Sequence, residues 1–289
     1  MRVIMGLVLL SLVTGSLVVA QQDDEATRKL WDTAFISRPG KKKTSPRRRS
    51  HARYRVATPN VPVDNVAPDS VVGVTIWRLR PARSADSGER LIVHDDDASK
   101  EWIPERISAN TKLGPGDKLR VSVEAARAGY LYVIDREQYA DGSLGEPYLI
   151  FPTKRTLNGD NKVSVGKLIE IPAQDDSPPF FTIRKSRPDQ VAEVLSVLVT
   201  PTPLEGLEIT DKAQKLTDAV VANWEKMWST SVGRLDMESV GQSWTKEERD
   251  AGATNTRALT ATAPAPQMLF YRPQSSEAIF VKLRLSYRR

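Results

Sequence analysis

The side chains able to do chemistry are few, and most of them are carboxylates. There is no cysteine, so disulfides, thiolate metal sites and a cysteine nucleophile are excluded. Only two histidines occur, His51 in a basic run and His94 beside Asp95-Asp96-Asp97. A histidine-based triad would rest on His94. No Gly-x-Ser-x-Gly elbow accompanies it, and Gly142-Ser143-Leu144-Gly145 has the wrong spacing. Ser164-Val165-Gly166-Lys167 and Ser243-Trp244-Thr245-Lys246 both spell Ser-x-x-Lys. That chemistry needs the serine at a helix start, so that the lysine one turn later reaches it. The first pair falls in strand and turn territory, the second just before a short helix, and chance accounts for both. No catalytic residue, cofactor site or metal-ligand set is assigned.

Carboxylates cluster at Asp95-Asp96-Asp97, and at Asp135, Glu137 and Asp141 in a central hairpin. Neither cluster has the spacing of a calcium-binding helix-loop-helix. The stretch from Asp135 to Glu146 offers a weak calcium loop, against the plainer reading of Asp141-Gly142 as a turn. Paired carboxylates for hydrolysis leave no local signature. They predict a cleft with two acids about 5 to 9 Å apart, one of them with a raised pKa. Aromatic residues flank the same hairpin, and Tyr139, Asp141 and Tyr148 form the first candidate recognition surface. Trp224 and Trp228, one helical turn apart, form the second. Exposed aromatics carry binding energy and buried ones carry packing, so solvent access decides between these roles.

The cationic chemistry is concentrated in one place. Residues 38 to 55 hold nine lysines and arginines and no acid, in a chain of net charge +6. From Val56 onward the charge is close to −2 by count, so the basic character belongs to a segment rather than to the fold. A like-charged run punctuated by Pro39, Gly40, Ser45 and Pro46 reads as disordered. Lys41, Lys42, Lys43, Arg47, Arg48 and Arg49 are candidate polyanion contacts, for anionic lipid or envelope polysaccharide. The alternative is a solvated tether.

The compartment follows from the start of the chain. Arg2 precedes an apolar run from Val3 to Val19 that closes on small residues at Ala20, as in a secretory signal peptide over 1–20. An uncleaved anchor is the alternative. Behind such a segment, cytosolic nucleic acid is not the expected polyanion. Residues 21–37 suggest a short helix with Leu30, Trp31, Ala34 and Phe35 near one face. A basic, proline-containing linker follows over 38–68, and the folded domain over 69–289.

Within that domain β patterning dominates. Val71 to Leu79 reads as the first strand, and Leu91 to His94 as a short edge strand. Leu119, Val121 and Val123 alternate with Arg120, Ser122 and Glu124, the period of a half-buried strand. Gly129 to Ile134, Tyr148 to Phe151, Phe180 to Ile183 and Val194 to Thr200 add further strands, Lys162 to Val165 and Lys167 to Ile171 give one or two more, and Ile279 to Tyr287 closes the set. A helical stripe runs over about 211–228, through Ala213, Leu216, Val220, Trp224 and Met227. Thr245 to Glu248 matches a capping box for a short second helix. The expected fold is mainly β, an antiparallel sandwich with these two helices packed on it.

The order of motifs resembles the domain of unknown function 4384 family over about residues 113–200. The matching residues are Gly116-Asp117, Gly129 to Val133, Asp141-Gly142, Leu149 to Pro152, Asn161-Lys162-Val163, Gly166 and Ile171-Pro172. The resemblance implies a β-sandwich-like domain of exported bacterial proteins, and it supplies no catalytic residue. Some such domains accompany caspase-like peptidases or kinases. This chain has no cysteine for the first and no glycine-rich loop for the second. The leading expectation is a non-enzymatic binding module of the cell envelope, its partner a protein or an envelope polymer. The alternatives are an envelope hydrolase using paired carboxylates and a purely structural envelope protein.

Overall fold

The computed structural model describes residues 30, 33–35, 38–39, 53–58, 61–63, 66–95, 98–254, 257–273 and 278–288. The expected signal segment 1–20 and the basic residues from Lys41 to Arg49 lie outside these. In chain order the strands are β1 (Tyr54–Val56), β2 (Val71–Pro81), β3 (Leu91–Asp95), β4 (Ala98–Arg106), β5 (Lys118–Ala125), β6 (Gly129–Tyr139) and β7 (Tyr148–Phe151). Then come β8 (Lys162–Val163), β9 (Ile169–Ile171), β10 (Phe181–Thr182), β11 (Gln190–Thr200) and β12 (Gln214–Lys215). Helix α1 (Asp218–Trp228), β13 (Gly233–Met237), helix α2 (Lys246–Thr254), β14 (Met268–Tyr271) and β15 (Ile279–Ser286) complete the chain.

Two antiparallel sheets face each other. The first is centred on β2, which pairs β14 and then β4 along one side and β5 along the other. Strands β13 and β1 extend it beyond β14, β3 lies outside β4, and β9 and β10 both pair with β5. The second sheet runs β12-β7-β6-β11-β15, with β8 against the start of β6. Because side chains alternate across a strand, each sheet has one face for the space between. Val74, Val121, Val123 and Ile171 from the first sheet meet Leu131, Val133, Leu195, Val197 and Leu283 from the second in one apolar core.

The outward faces are covered as well. Tyr132, Ile134, Leu198 and Phe280 form the outer apolar face of the second sheet, and Leu216, Val221 and Trp224 pack on it. The stripe expected over 211–228 is helical only from Asp218. Gln214 and Lys215 instead pair with Leu149 and Tyr148 of β7, and Thr217 caps the helix by accepting from Val220 N. A strand pairing and a cap hydrogen bond thus displace the first turns of the apolar stripe. On the first sheet, Leu30, Ala34 and Phe35 pack with Tyr54, Leu235, Met237, Leu269 and Tyr271.

The segment read as a linker over 38–68 is therefore not wholly outside the domain. Arg38 is buried and pairs with buried Glu124. Tyr54 to Val56 pairs with Leu235 to Met237, and the buried Tyr54 hydroxyl donates to Pro266 O at 2.6 Å.

Candidate functional site

The inward face of β6 changes character along its length. Leu131 and Val133 belong to the core, and the next residues of the same parity are Asp135, Glu137 and Tyr139. Strand β11 does the same in reverse. Val199, Val197 and Leu195 are core residues, and Glu193 continues the face. The register places Glu193 directly across from Glu137, with Asp135 opposite Leu195. Three carboxylates thus lie where the sandwich interior opens. Like charges across an antiparallel pair are destabilising, and such a local conflict is expected where function constrains the sequence.

These acids line a pocket of about 280 Å³ with Arg136, Tyr139, Glu146, Tyr148 and Ser186. The one arginine is already engaged. Its Nε donates to Gly145 O at 2.8 Å and its Nη2 to Asp218 Oδ1 at 2.5 Å. Glu146 pairs at the exposed rim with Lys215 at 3.1 Å. Deeper in, Glu193 Oε1 accepts from the Tyr287 hydroxyl and from Gln190 Nε2. Tyr139 donates its hydroxyl to Glu137 Oε2 at 2.6 Å, and the Arg187 guanidinium stacks 4.2 Å above its ring.

Two oxygens are left over. Asp135 Oδ1 and Glu193 Oε2 are sealed from solvent and have no hydrogen-bond partner among the described residues. Burial raises Asp135 to about 8, with the nearby Glu193 charge adding to it. Burial likewise raises Glu193 to about 7, against the hydrogen bonds from Tyr287 and Gln190. Burial and the bond to Glu193 raise the Tyr287 phenol. The arrangement disfavours bare negative charge, and it would be relieved by a positive group that supplied donors to both orphan oxygens.

The residues read from the sequence divide clearly. Tyr139 and Tyr148 line the pocket, and Tyr148 is 43% exposed. Asp141 does not line it. Its Oδ1 accepts from Ser143 N at 2.9 Å and from Ser143 Oγ at 2.6 Å, which lowers its pKa, and Gly142 follows at φ 88°. That geometry is a turn held by its own aspartate. Trp224 is 8% exposed and sits in the apolar cluster under α1, so it supplies packing, while Trp228 is half-buried at the edge of the same cluster. Lys167 Nζ reaches Asp160 and Lys162 O, and Lys246 Nζ reaches Asp250, so neither Ser-x-x-Lys lysine is aimed at its serine. Among the described residues, no group of three His, Asp or Glu is placed to hold a metal ion.

Glu193 was missed. It lies far from Asp135 in sequence, and the usable signal was its parity with Leu195, Val197 and Val199. A second set of buried charges belongs to the scaffold. Arg38–Glu124, Arg106–Glu248 and Arg120–Glu170 are buried pairs on the outer face of the first sheet. Trp77 stands under the Arg106 guanidinium, and its indole donates to Ser122 Oγ at 2.7 Å. The space left among these groups is about 10 Å³, too little for a ligand.

No protein family, no curated protein and no solved structure matches this chain.

Proposed function

We propose that this chain is an exported, non-enzymatic binding module whose recognition site is the acidic pocket at the open end of the sandwich. The pocket takes a cationic group, an ammonium or guanidinium, borne by a protein or an envelope polymer. The observation that carries this reading is the pair of sealed oxygens, Asp135 Oδ1 and Glu193 Oε2, which have no partner among the described residues, in a pocket whose lining arginine, Arg136, is already engaged. Tyr148 at the mouth adds an apolar edge suited to the alkyl stem of a lysine or arginine. Export rests on the charged start and apolar run of residues 1–20. The bacterial envelope is the setting implied by the motif order over residues 113–200, which resembles the domain of unknown function 4384 family.

The basic run adds a second contact, to anionic lipid or polysaccharide. The described residues on either side of it, Arg38 and Tyr54, are both held on the first sheet. A run between two fixed points favours surface contact over the tether reading.

The test titrates lysine- and arginine-containing peptides into the protein at pH 6 and pH 8. A bound cation favours the ionised carboxylates over the protonated forms that burial favours, so binding tightens toward pH 8. The Asp135→Asn, Glu193→Gln double variant loses at least tenfold in affinity together with the pH dependence. Unchanged affinity in that variant would remove the pocket from the function.

One observation favours a hydrolytic reading. An acid still protonated at neutral pH, beside other carboxylates in a cleft, suits general acid catalysis. Release of reducing ends or new amines from purified envelope polymers, abolished by Asp135→Asn, would favour it over binding alone.

A further inference from the structure

A second concavity lies along the open side of the sandwich, where the edge of the first sheet at β9 and β10 faces the β7–β12 edge of the second. It measures about 530 Å³. We propose that this groove binds an anionic oligosaccharide, independently of the acidic pocket.

The charge argument comes first. Arg155, Arg184 and Lys212 converge on the groove, and all three are exposed. Arg155 spends one nitrogen on Ser177 O at 2.6 Å, and neither Arg184 nor Lys212 has a side-chain partner among the described residues. Of the two acids on the lining, Asp176 is turned inward, accepting from Ala173 N at 3.0 Å and from the Thr156 hydroxyl. Three cations thus face two carboxylates, Asp176 and Asp211, and the lining keeps a small positive excess. Guanidinium groups present paired donors that match a carboxylate.

Shape and backbone chemistry then choose among anions. Phe181 lies 36% exposed on the lining and Pro178 is exposed there too, whereas Pro172 is buried. Phe181 and Pro178 offer an apolar platform beside the cations. A sugar ring carries one C–H-bearing apolar face and a rim of hydroxyls, so platform and polar rim are read by one ligand. An acidic peptide added as a strand would need free backbone N–H groups along the edge. Strands β9 and β10 hold only five residues between them, and the segment joining them carries Pro172, Pro178 and Pro179, which have no N–H. The edge is therefore poorly built for strand addition, and recognition falls to side chains.

The experiment uses the whole chain as it is exported, with trigalacturonate as the probe and cellotriose as its neutral counterpart. Binding is followed by calorimetry and by NMR shifts of backbone amides. The expected result is saturable binding of trigalacturonate, with shifts at Phe181 to Arg184 and Asp211 to Ala213, and none with cellotriose. The triple variant Arg155→Ala, Arg184→Ala, Lys212→Ala weakens it at least tenfold. Phe181→Ala weakens it about fivefold and leaves binding of citrate unchanged. These residues are exposed, and a thermal melt matching the parent shows that the fold is intact. Binding that survives the triple variant places the sugar on the basic run and overturns the proposal. So does a Phe181→Ala variant with full affinity, which would reduce the groove to charge attraction. An acidic peptide that binds the groove more tightly than the trisaccharide also overturns it.

Discussion

Replacing Asp135 by asparagine should stabilise the protein at neutral pH and leave it unchanged in acid. Asparagine copies the shape of the protonated carboxyl and cannot ionise. In the folded chain Asp135 is raised from 3.8 to about 8. Between those values the unfolded chain has released a proton that the native chain keeps. The native state is therefore favoured fully below about pH 4, and it loses that advantage progressively as pH rises to about 8. At pH 7 the gap above 3.8 is about 3 units, which at 1.36 kcal/mol per unit is on the order of 4 kcal/mol. Glu193, raised to about 7, shares the same proton field, so the part released by Asp135→Asn alone is about 2 to 4 kcal/mol. In a chain of this size that corresponds to roughly 5 to 10 °C in Tm. Thermal melts of both proteins from pH 4 to pH 8.5 read the effect directly. Curves that coincide near pH 4 and diverge toward pH 8 are expected. An Asp135→Asn variant less stable than the parent at pH 8 would refute the reasoning, because it would mean that the native carboxylate is charged and paired.

Two further substitutions probe the scaffold. Glu170→Gln leaves the buried Arg120 guanidinium without its counterion, and it should cost roughly 3 to 5 kcal/mol in urea unfolding. The double change Arg120→Met, Glu170→Leu removes both charges and should cost clearly less than that single change. Trp224→Ala should cost roughly 3 to 5 kcal/mol by opening a cavity under α1. It should leave binding of basic peptides intact, and a matching loss of binding would restore the tryptophans as a recognition surface.

The elements legible in the sequence are the long strands: β5 and β15 by alternation, and β2, β6 and β11 by runs rich in β-branched and aromatic residues. The half-buried reading of β5 fails, because Arg120, Ser122 and Glu124 on its outer face are buried among partners that distant segments supply. β4 escaped because Pro104 interrupts it and Lys100, Glu101, Glu105 and Arg106 dominate its composition. Its place is set by pairing with β2 and β3, not by propensity. β1 escaped because three residues inside a basic segment carry no period, and only the β13 edge gives them a partner. The pocket was half legible. Tyr139, Tyr148, Asp135 and Glu137 share one hairpin, so their proximity is local. Glu193 and Tyr287 come from strands brought alongside by the sheet order, and no short window contains that information. The buried Arg38–Glu124 pair spans 86 residues, beyond any local pattern.

That last pair bears on how the chain would respond to a protease. Arg47-Arg48-Arg49 matches the sequence preference of a trypsin-like enzyme, and described residues N-terminal to it are fastened to the body of the protein. Arg38 is clamped on Glu124, Ala261 N donates to Pro39 O at 3.3 Å, and Leu30, Ala34 and Phe35 are sunk in an apolar cluster. A cut at the arginines would therefore yield two polypeptides on a denaturing gel and a single particle in solution. Whatever the N-terminal segment is attached to would keep its hold on the sandwich after the backbone had been severed.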